Sequence, residues 1–291
     1  MSAPLLQTHA LTLRAGERVL VDWLDLIVAP GECWCLAGPN GAGKTTLLGT
    51  LAGLRTLDDK ASSHSGAHSG AHSGAEGIAG SGRVEIGGRP LAQWRPAPLA
   101  RVRALMPQQT RDAFGATALE VVLAGRHPYL AQGRWGAWES DDDIAAALVA
   151  LAQVGLEDFA QRDVTTLSGG ERQRVSLAAV LAQATPLLLL DEPVSHLDLH
   201  HQIDALTLLA RHAGRMETGA GAGAAVVFSC HDLNLARRFA THALLLDGRG
   251  GWRAGVAHEV LSAGNCSDAF GYPLRLIRDG DDEALVPVHR T

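Results

Sequence analysis

The sequence has 291 residues, of which 46% are hydrophobic and 19% are charged, and its formal net charge is −6. This composition excludes a wholly disordered chain, and the acidic balance argues against a protein that binds nucleic acid through a basic field. Four cysteines are too few for a disulfide scaffold in a chain of this length, so they indicate a reducing compartment.

No apolar run reaches the roughly 18 residues that a membrane-spanning helix needs. The first ten residues also lack the charge and the apolar core of a signal peptide. We therefore expect a soluble, cytosolic protein. Only two of the 25 basic residues are lysines, Lys44 and Lys60, and their positions call for an explanation.

The N-terminal part predicts short strands followed by a helix. Residues 5–13 and 18–28 carry apolar runs broken by a Gly-Glu turn, and residues 33–36 form a short apolar run of their own. Leucines at helical spacing then predict a helix over 45–54. Within the second strand, Trp23 is expected to be a core residue.

Two cysteines lie on the same face of the third predicted strand. Cys33 and Cys35 are two residues apart, which favours packing in the core. The alternative, a metal site, would require more Cys or His nearby.

Residues 57–82 differ in composition from the rest of the chain. They contain the tetrapeptide His-Ser-Gly-Ala three times, starting at His64, His68 and His72, within a Gly/Ser/Ala-rich stretch. Nothing in this stretch can build a core, so we predict a flexible insertion, and the alternative is a metal-binding histidine tract. Residues 219–225 predict a second, shorter insertion.

Downstream, apolar strands alternate with amphipathic helices. This alternation is typical of an α/β protein, and the continuous apolar run at 187–190 predicts a parallel strand buried on both faces. The predicted strands are 83–88, 103–106, 187–190 and 226–229, and the predicted helices are 141–155 and 171–183.

The strongest local pattern lies between the strand at 33–36 and the helix that follows it. Residues 38–45 read Gly-Pro-Asn-Gly-Ala-Gly-Lys-Thr and fit the phosphate-binding loop G-x-x-x-x-G-K-[ST]. Glycines let successive backbone N–H groups turn towards a phosphate, and the N-terminus of the following helix adds a positive dipole. We predict that Lys44 reaches the β- and γ-phosphates and that the Thr45 hydroxyl holds Mg²⁺. The predicted nucleotide-binding residues of this loop are Gly38, Pro39, Asn40, Gly41, Ala42, Gly43, Lys44, Thr45 and Thr46.

Two acids follow the apolar strand at 187–190. They lie at the carboxyl edge of the predicted sheet, where ligands bind in open α/β folds. We expect Asp191 to complete the Mg²⁺ site and Glu192 to orient or deprotonate the attacking water. Such a pair also occurs at ordinary strand ends, and the phosphate-binding loop is what favours the functional interpretation.

A third motif, Leu-Ser-Gly-Gly-Glu-Arg-Gln at 167–173, opens a helix with Ser168 as its cap. In this order and spacing, the three motifs resemble the nucleotide-binding subunit of an ATP-binding-cassette (ABC) transporter, over about residues 5–275. Three further positions match that family: Gln108 of the Q-loop, Asp198 of the D-loop and the switch histidine His231.

The resemblance implies a P-loop ATPase core with an N-terminal antiparallel β-subdomain and an inserted helical subdomain. It also implies that two copies form a head-to-tail homodimer with two ATP molecules in the interface. Gln108, Glu192 and His231 of one copy would be catalytic, and Thr45, Gln108 and Asp191 would hold Mg²⁺. Ser168 and Gly170 of the other copy would complete the ATP site, and Gly169 and Asp198 are also expected to bind the nucleotide.

One domain of 291 residues is expected on this basis. Residues 1–108 and 166–250 would form the nucleotide-binding core, 109–165 the helical subdomain and 251–291 a C-terminal tail. Trp135 and Trp138, in the helical subdomain, are candidates either for a permease-docking surface or for local packing.

The chain departs from the family pattern in two places. The family places an aromatic residue for adenine stacking near Arg14 and Ala15, and none is present here. The helix after the signature often carries an arginine where this chain has Ala179.

The segments between the motifs resemble importer ATPases for iron–siderophore, haem and cobalamin uptake, with a small preference for cobalamin. The matching segments are 89–94, 106–108, 125–129, 197–202, 231–236 and 269–274. The implied partners are transmembrane permease subunits and, indirectly, a substrate-binding protein, so the subunit would lie on the cytoplasmic face of the membrane. No nucleic acid is expected as a partner. The alternatives are a soluble ABC ATPase outside transport, an ABC ATPase for another substrate and a catalytically inactive ATP sensor.

Overall fold

A computed structural model describes residues 3–55, 57, 77–108, 115–129, 140–214, 223–280 and 282–288. Its strands are β1 (Leu6–Ala15), β2 (Arg18–Leu24), β3 (Ile27–Val28), β4 (Cys33–Ala37), β5 (Ile78–Ile86), β6 (Arg89–Pro90), β7 (Arg103–Met106), β8 (Leu187–Leu190), β9 (Ala225–Ser229), β10 (His242–Leu246), β11 (Trp252–Val256), β12 (Leu274–Asp279) and β13 (Asp282–Pro287). Its α-helices are α1 (Lys44–Leu51), α2 (Pro96–Leu99), α3 (Ala118–Ala124), α4 (Asp141–Gln153), α5 (Gly169–Ala182), α6 (Leu199–Gly214), α7 (Leu233–Phe239), α8 (Ala257–Val260) and α9 (Ala263–Phe270).

The central sheet has the order β11-β10-β4-β9-β8-β7. All pairs in it are parallel except β10–β11, which is antiparallel. Every residue of β4, β8 and β9 is buried. These strands are therefore covered on both faces, as their continuous apolar runs predict.

The side chains of β4 alternate between two hydrophobic cores. Cys33 and Cys35 point into the core on the helical side, whereas Trp34 and Leu36 point into the core shared with the N-terminal sheet. Burial raises the pKa of the Cys33 thiol to about 12 and holds that of Cys35 well above its ordinary value. Among the described residues, no group of three or more metal-ligating side chains occurs. The prediction that these cysteines are core residues is confirmed.

A second sheet, of order β2-β1-β5-β6 with β3 on β1, forms the antiparallel N-terminal layer. Here the structure corrects the predicted insertion 57–82, because β5 begins at Ile78 and pairs with Ala15 at the far end of β1. A Cβ at Gly82 would lie 2.5 Å from the Ala10 carbonyl oxygen, so this glycine permits a close approach of two strands. Most of the predicted insertion, including Lys60, lies outside the described residues. The second predicted insertion, 219–225, overlaps the sheet by one residue, since β9 begins at Ala225.

Trp23 is 70% exposed, so its assignment to the core is wrong. The pairing of β1 and β2 is irregular between Leu11 and Leu13, and Trp23 itself has a left-handed φ of 52°. Such an irregularity breaks the strict alternation of inward and outward side chains, which the sequence pattern alone does not reveal.

Helices α3, α4 and α5 pack together beside the central sheet, and an ion pair joins the segment that follows α3 to α4. The Arg126 Nε lies 2.9 Å from Asp143 Oδ1, and both side chains are largely buried. Arg126 also donates to the Ala182 carbonyl at the end of α5. Trp135 and Trp138, which precede α4, lie outside the described residues.

The C-terminal hairpin β12–β13 rests on α7. The Asn234 side chain accepts a hydrogen bond from Leu285 N at 2.7 Å and donates to its carbonyl at 3.3 Å. Arg237, one turn further along α7, pairs with Glu283. Within the described ranges, no helix has the length and apolar character to cross a membrane.

Candidate nucleotide site

The loop between β4 and α1 requires glycine at both of its ends. Gly38 has φ 145°, and a Cβ there would lie 2.6 Å from the Leu246 carbonyl oxygen. Gly43 has φ 100°, and a Cβ there would lie 3.0 Å from Leu20 Cβ. This tight turn leads directly into the first turn of α1, whose N–H groups have no acceptor within the helix. The chain thereby forms an anion-binding loop at a helix N-terminus.

The Lys44 side chain is only 6% exposed to solvent, and it contacts the backbone of this loop. Its Nζ donates to the Gly38 carbonyl at 2.8 Å and to the Pro39 carbonyl at 3.1 Å. Burial lowers the pKa of Lys44, and the nearby carboxylates of Glu192 and Asp191 oppose that shift. The ammonium group is thus held at the loop by two carbonyl oxygens, which phosphate oxygens can replace.

An open cleft of about 540 Å³ lies in front of the loop. It is lined by Ala15, Arg18, Leu20, Asn40, Gly41, Gly43, Lys44, Thr45, Thr46, Gln108, Glu192 and His231. Of the predicted nucleotide-binding residues in the loop, Gly38, Pro39 and Ala42 are not part of this lining. Residues from five separate parts of the chain therefore meet at one cleft.

Glu192 and His231 are in direct contact at the cleft. The His231 Nε2 lies 2.5 Å from Glu192 Oε1, and the glutamate is largely buried whereas the histidine is half exposed. Both residues follow the ends of neighbouring parallel strands, β8 and β9. Since parallel strands end at one edge of a sheet, this register explains why residues 39 positions apart meet.

Asp191 directly precedes Glu192 in the chain and is only 3% exposed to solvent. Its Oδ1 accepts a 2.6 Å hydrogen bond from the Ser229 hydroxyl. Ser229 was not singled out by the sequence patterns. Its position in the sheet identifies it as a neighbour of Asp191. Phe228 pairs with Leu190, and Ser229 and Asp191 are the residues that follow this pair in the chain.

The predicted signature residues do not line this cleft. Ser168 caps α5 in a capping box with Glu171, and the pKa of Glu171 is lowered by its hydrogen bonds from Ser168. A Cβ at Gly170 would lie 3.2 Å from the His196 carbonyl, so the signature turn packs closely on the segment before Asp198. Asp198 is exposed and accepts hydrogen bonds from the backbone N–H and the ring of His201. The lining of this chain's cleft thus does not include Ser168, Gly169, Gly170 or Asp198.

The mouth of the cleft carries a residue that the sequence patterns did not identify. Arg18 pairs with Ala15 across the β1–β2 turn, and its guanidinium donates to the Gly248 carbonyl at 2.9 Å. Its Nη1 would lie 3.7 Å from a Cβ at Gly41 of the phosphate-binding loop. At the position where the family pattern places an aromatic ring, the cleft has Ala15 with Arg18 beside it.

The side chains around the loop suit a hard divalent cation. Thr45, Gln108 and Asp191 offer hydroxyl, amide and carboxylate oxygens, which are the donors that Mg²⁺ prefers. The cysteines near Lys44 are buried core thiols with raised pKa values, so they do not compete as ligands.

A family model described as "ABC transporter" matches residues 21–195, which is more than half of the chain. The chain belongs to the ABC transporter family. Relatives that cover most of the chain agree with this. The chain is 38% identical to the "Hemin import ATP-binding protein HmuV" of Streptomyces coelicolor, over 97% of this chain and 89% of the relative. It is 33% identical to the "Petrobactin import ATP-binding protein FpuD" of Bacillus anthracis, over 94% of this chain and 89% of the relative.

Solved structures show the same fold for this ABC protein. An ABC transporter in an inward-facing conformation matches with a TM-score of 0.76 at 24% identity, covering 99% of this chain and 98% of the other. A nucleotide-free ATP-binding cassette matches with a TM-score of 0.67 at 19% identity, covering 88% of this chain and 92% of the other. The predicted ABC ATPase fold is confirmed.

Proposed function

We propose that this chain is the ATP-hydrolysing subunit that powers an ABC importer for a metal chelate. The observation that carries the proposal is the meeting of Lys44, Glu192 and His231 at one cleft. A buried cation at a phosphate-binding loop and a carboxylate held against an imidazole are the groups that ATP hydrolysis requires. Relatives that cover almost the whole chain are named as ATP-binding proteins of import systems, which supports the transport role.

In this mechanism, the loop and Lys44 bind the β- and γ-phosphates of ATP. Glu192 accepts the proton of the attacking water, and His231 holds the carboxylate by the 2.5 Å contact. Thr45, Gln108 and Asp191 would hold Mg²⁺, which when bound neutralises charge on the phosphates.

The absence of the signature residues from the lining of this chain's own cleft supports a head-to-tail homodimer. Ser168, Gly169, Gly170 and Asp198 would then meet the nucleotide bound in the cleft of the second copy. The backbone N–H groups of Gly169 and Gly170, at the N-terminus of α5, suit the γ-phosphate for the same reason as the phosphate-binding loop does. Permease subunits would anchor this dimer at the cytoplasmic face of the membrane, and a substrate-binding protein would deliver the cargo to them. In this arrangement, the described part of the predicted helical subdomain 109–165, which contains α3 and α4, would receive the permease.

For the cargo, we favour an iron chelate. The relatives described above are named for hemin and petrobactin import, and this shifts the preference away from cobalamin. The test is growth of a deletion strain on haem, on a ferric siderophore or on a cobalamin-dependent carbon source. Loss of growth only under cobalamin dependence would contradict the iron-chelate proposal.

The ATPase proposal is tested by Glu192→Gln, which keeps the size of the side chain and removes the base. We expect turnover to fall by at least about 100-fold while ATP binding and ATP-dependent dimerisation persist. The measurements are phosphate release, ATP affinity and sedimentation with and without ATP. Normal turnover in this variant would show that Glu192 is not the general base.

A further inference from the structure

Glu192 has a backbone conformation that non-glycine residues rarely adopt. Its φ is 52°, in the left-handed region. Such a conformation persists only where the surrounding structure enforces it, and it commonly occurs at functional sites. Contacts to both the N–H and the carbonyl of Glu192 hold it in this state.

On the N–H side, one buried hydroxyl holds it. Ser229 is fully buried, and its Oγ accepts the Glu192 N–H at 2.8 Å. The same hydroxyl donates its own proton to Asp191 Oδ1 at 2.6 Å. The Ser229 hydroxyl is thus both a donor and an acceptor, and its two partners, Asp191 and Glu192, are consecutive residues of the turn after β8.

On the carbonyl side, two side chains hold it. The Gln173 Nε2 donates to the Glu192 carbonyl at 2.9 Å, and the Ser195 Oγ donates to the same oxygen at 2.9 Å. The Ser195 N–H donates there as well, at 3.1 Å. The Glu192 N–H is therefore held by Ser229 at the end of β9, and the Glu192 carbonyl is held by Gln173 of α5 and by Ser195. These contacts are called the clamp below.

We propose that Ser229 and Gln173 are positioning residues that hold the Glu192 backbone in its left-handed conformation and so aim its carboxylate at the cleft and at His231. This inference rests on the proposed role of Glu192 as the general base. Gln173 lies on α5, the helix that Ser168 caps, so the signature helix of a chain also orients the carboxylate of that chain's own cleft.

The test uses Ser229→Ala and Gln173→Met, each of which removes a hydrogen-bonding group and nearly conserves shape. We expect kcat to fall about 10- to 100-fold in each because the carboxylate is misplaced, while KM for ATP stays unchanged because Lys44 and its loop are not altered. Ser229→Thr, which restores the hydroxyl, should recover most of the activity.

The decisive measurement is a double-mutant cycle in single-turnover assays. If the clamp acts only through the carboxylate of Glu192, Ser229→Ala should cause no further loss of turnover in a Glu192→Gln background. An equal loss in both backgrounds would overturn the proposal. So would a Ser229→Ala defect that excess Mg²⁺ reverses, because the serine would then act through Asp191 alone. Normal kcat in both single variants, with Glu192→Gln inactive, would overturn the clamp and leave the proposed ATPase mechanism intact.

The matched control is Thr185→Val. Thr185 is 3% exposed, its hydroxyl donates to the Leu187 carbonyl, and it lies at the opposite end of β8 from Glu192. This variant also loses a buried hydroxyl of the same sheet, so its kcat should stay at the wild-type value. Thermal unfolding of all variants separates a misfolded protein from a mispositioned carboxylate.

Discussion

Lys44 illustrates how a single residue type is required at one position of an arginine-rich chain. The loop closes around a compact ammonium that contacts the Gly38 and Pro39 carbonyls. A planar guanidinium is larger and presents its donors in a fixed fork, so it does not fit a loop built on left-handed glycines.

We therefore predict that Lys44→Arg lowers kcat/KM for ATP about 100-fold, although the charge is conserved. The measurement is steady-state turnover together with ATP affinity by calorimetry. The control is the other lysine, and Lys60→Arg should behave as the wild type. Wild-type affinity in Lys44→Arg would show that the loop accommodates a guanidinium.

Arg18 is the second residue-scale feature, since it places a cation at the mouth of the cleft. We predict that Arg18→Ala weakens ATP binding about tenfold, through loss of a charge-assisted contact. Arg14 is exposed on the neighbouring strand and does not line the cleft, so Arg14→Ala is the matched control. Equal affinities of the two variants would exclude a role for Arg18. Arg18→Lys tests whether charge alone is sufficient.

At the scale of the element, α4 depends on the contacts of Asp143. Its carboxylate accepts hydrogen bonds from the Ser140 side chain and from Arg126, and these contacts lower the pKa of Asp143. Removing the carboxylate leaves the largely buried Arg126 without its ionic partner. We predict that Asp143→Ala lowers the free energy of unfolding by about 2 kcal/mol at neutral pH.

The same contact predicts a pH dependence. Because the folded pKa lies below the ordinary value of 3.8, the unfolded chain binds the proton first as the pH falls. The stabilisation by Asp143 is therefore complete above about 3.8 and is lost as the pH falls through the folded pKa. Urea unfolding of both proteins should show the difference between wild type and variant shrinking in that window. Asp142→Ala, in the same helical turn but exposed, is the control and should have little effect at any pH.

At the scale of the whole molecule, the absence of the signature residues from the cleft lining leads to a complementation experiment. In a head-to-tail dimer, mixing Lys44→Ala with Ser168→Arg subunits places both defects in one site and leaves the other site intact. We predict that dimers in the mixture bind ATP and that the mixture recovers part of the ATP turnover, as measured by ATP binding and phosphate release. Each variant alone should show neither. A mixture that performs no better than the separate variants would contradict sites shared between subunits.

Local sequence patterns predicted much of the fold and of the candidate site. β7 and β8 have the predicted bounds, and the phosphate-binding loop lies between a strand and a helix as its pattern requires. These features depend on neighbouring residues: glycine at positive φ, apolar runs for buried strands and caps at helix starts. Lys44 and Glu192 follow from these patterns, whereas Gln108 and His231 follow from the resemblance to the ABC family, and all four line the cleft.

The tertiary structure decided what depends on contacts between distant segments. It placed Trp23 in solvent through an irregular strand pair, and it extended β5 back to Ile78 through pairing with β1. It also brought Arg18 to the cleft and Ser229 beside Asp191. Sequence spacing carries the periodicity of one element, but register and orientation between elements arise only when the strands pair, and this is why the supporting residues of the site emerged from the structure alone.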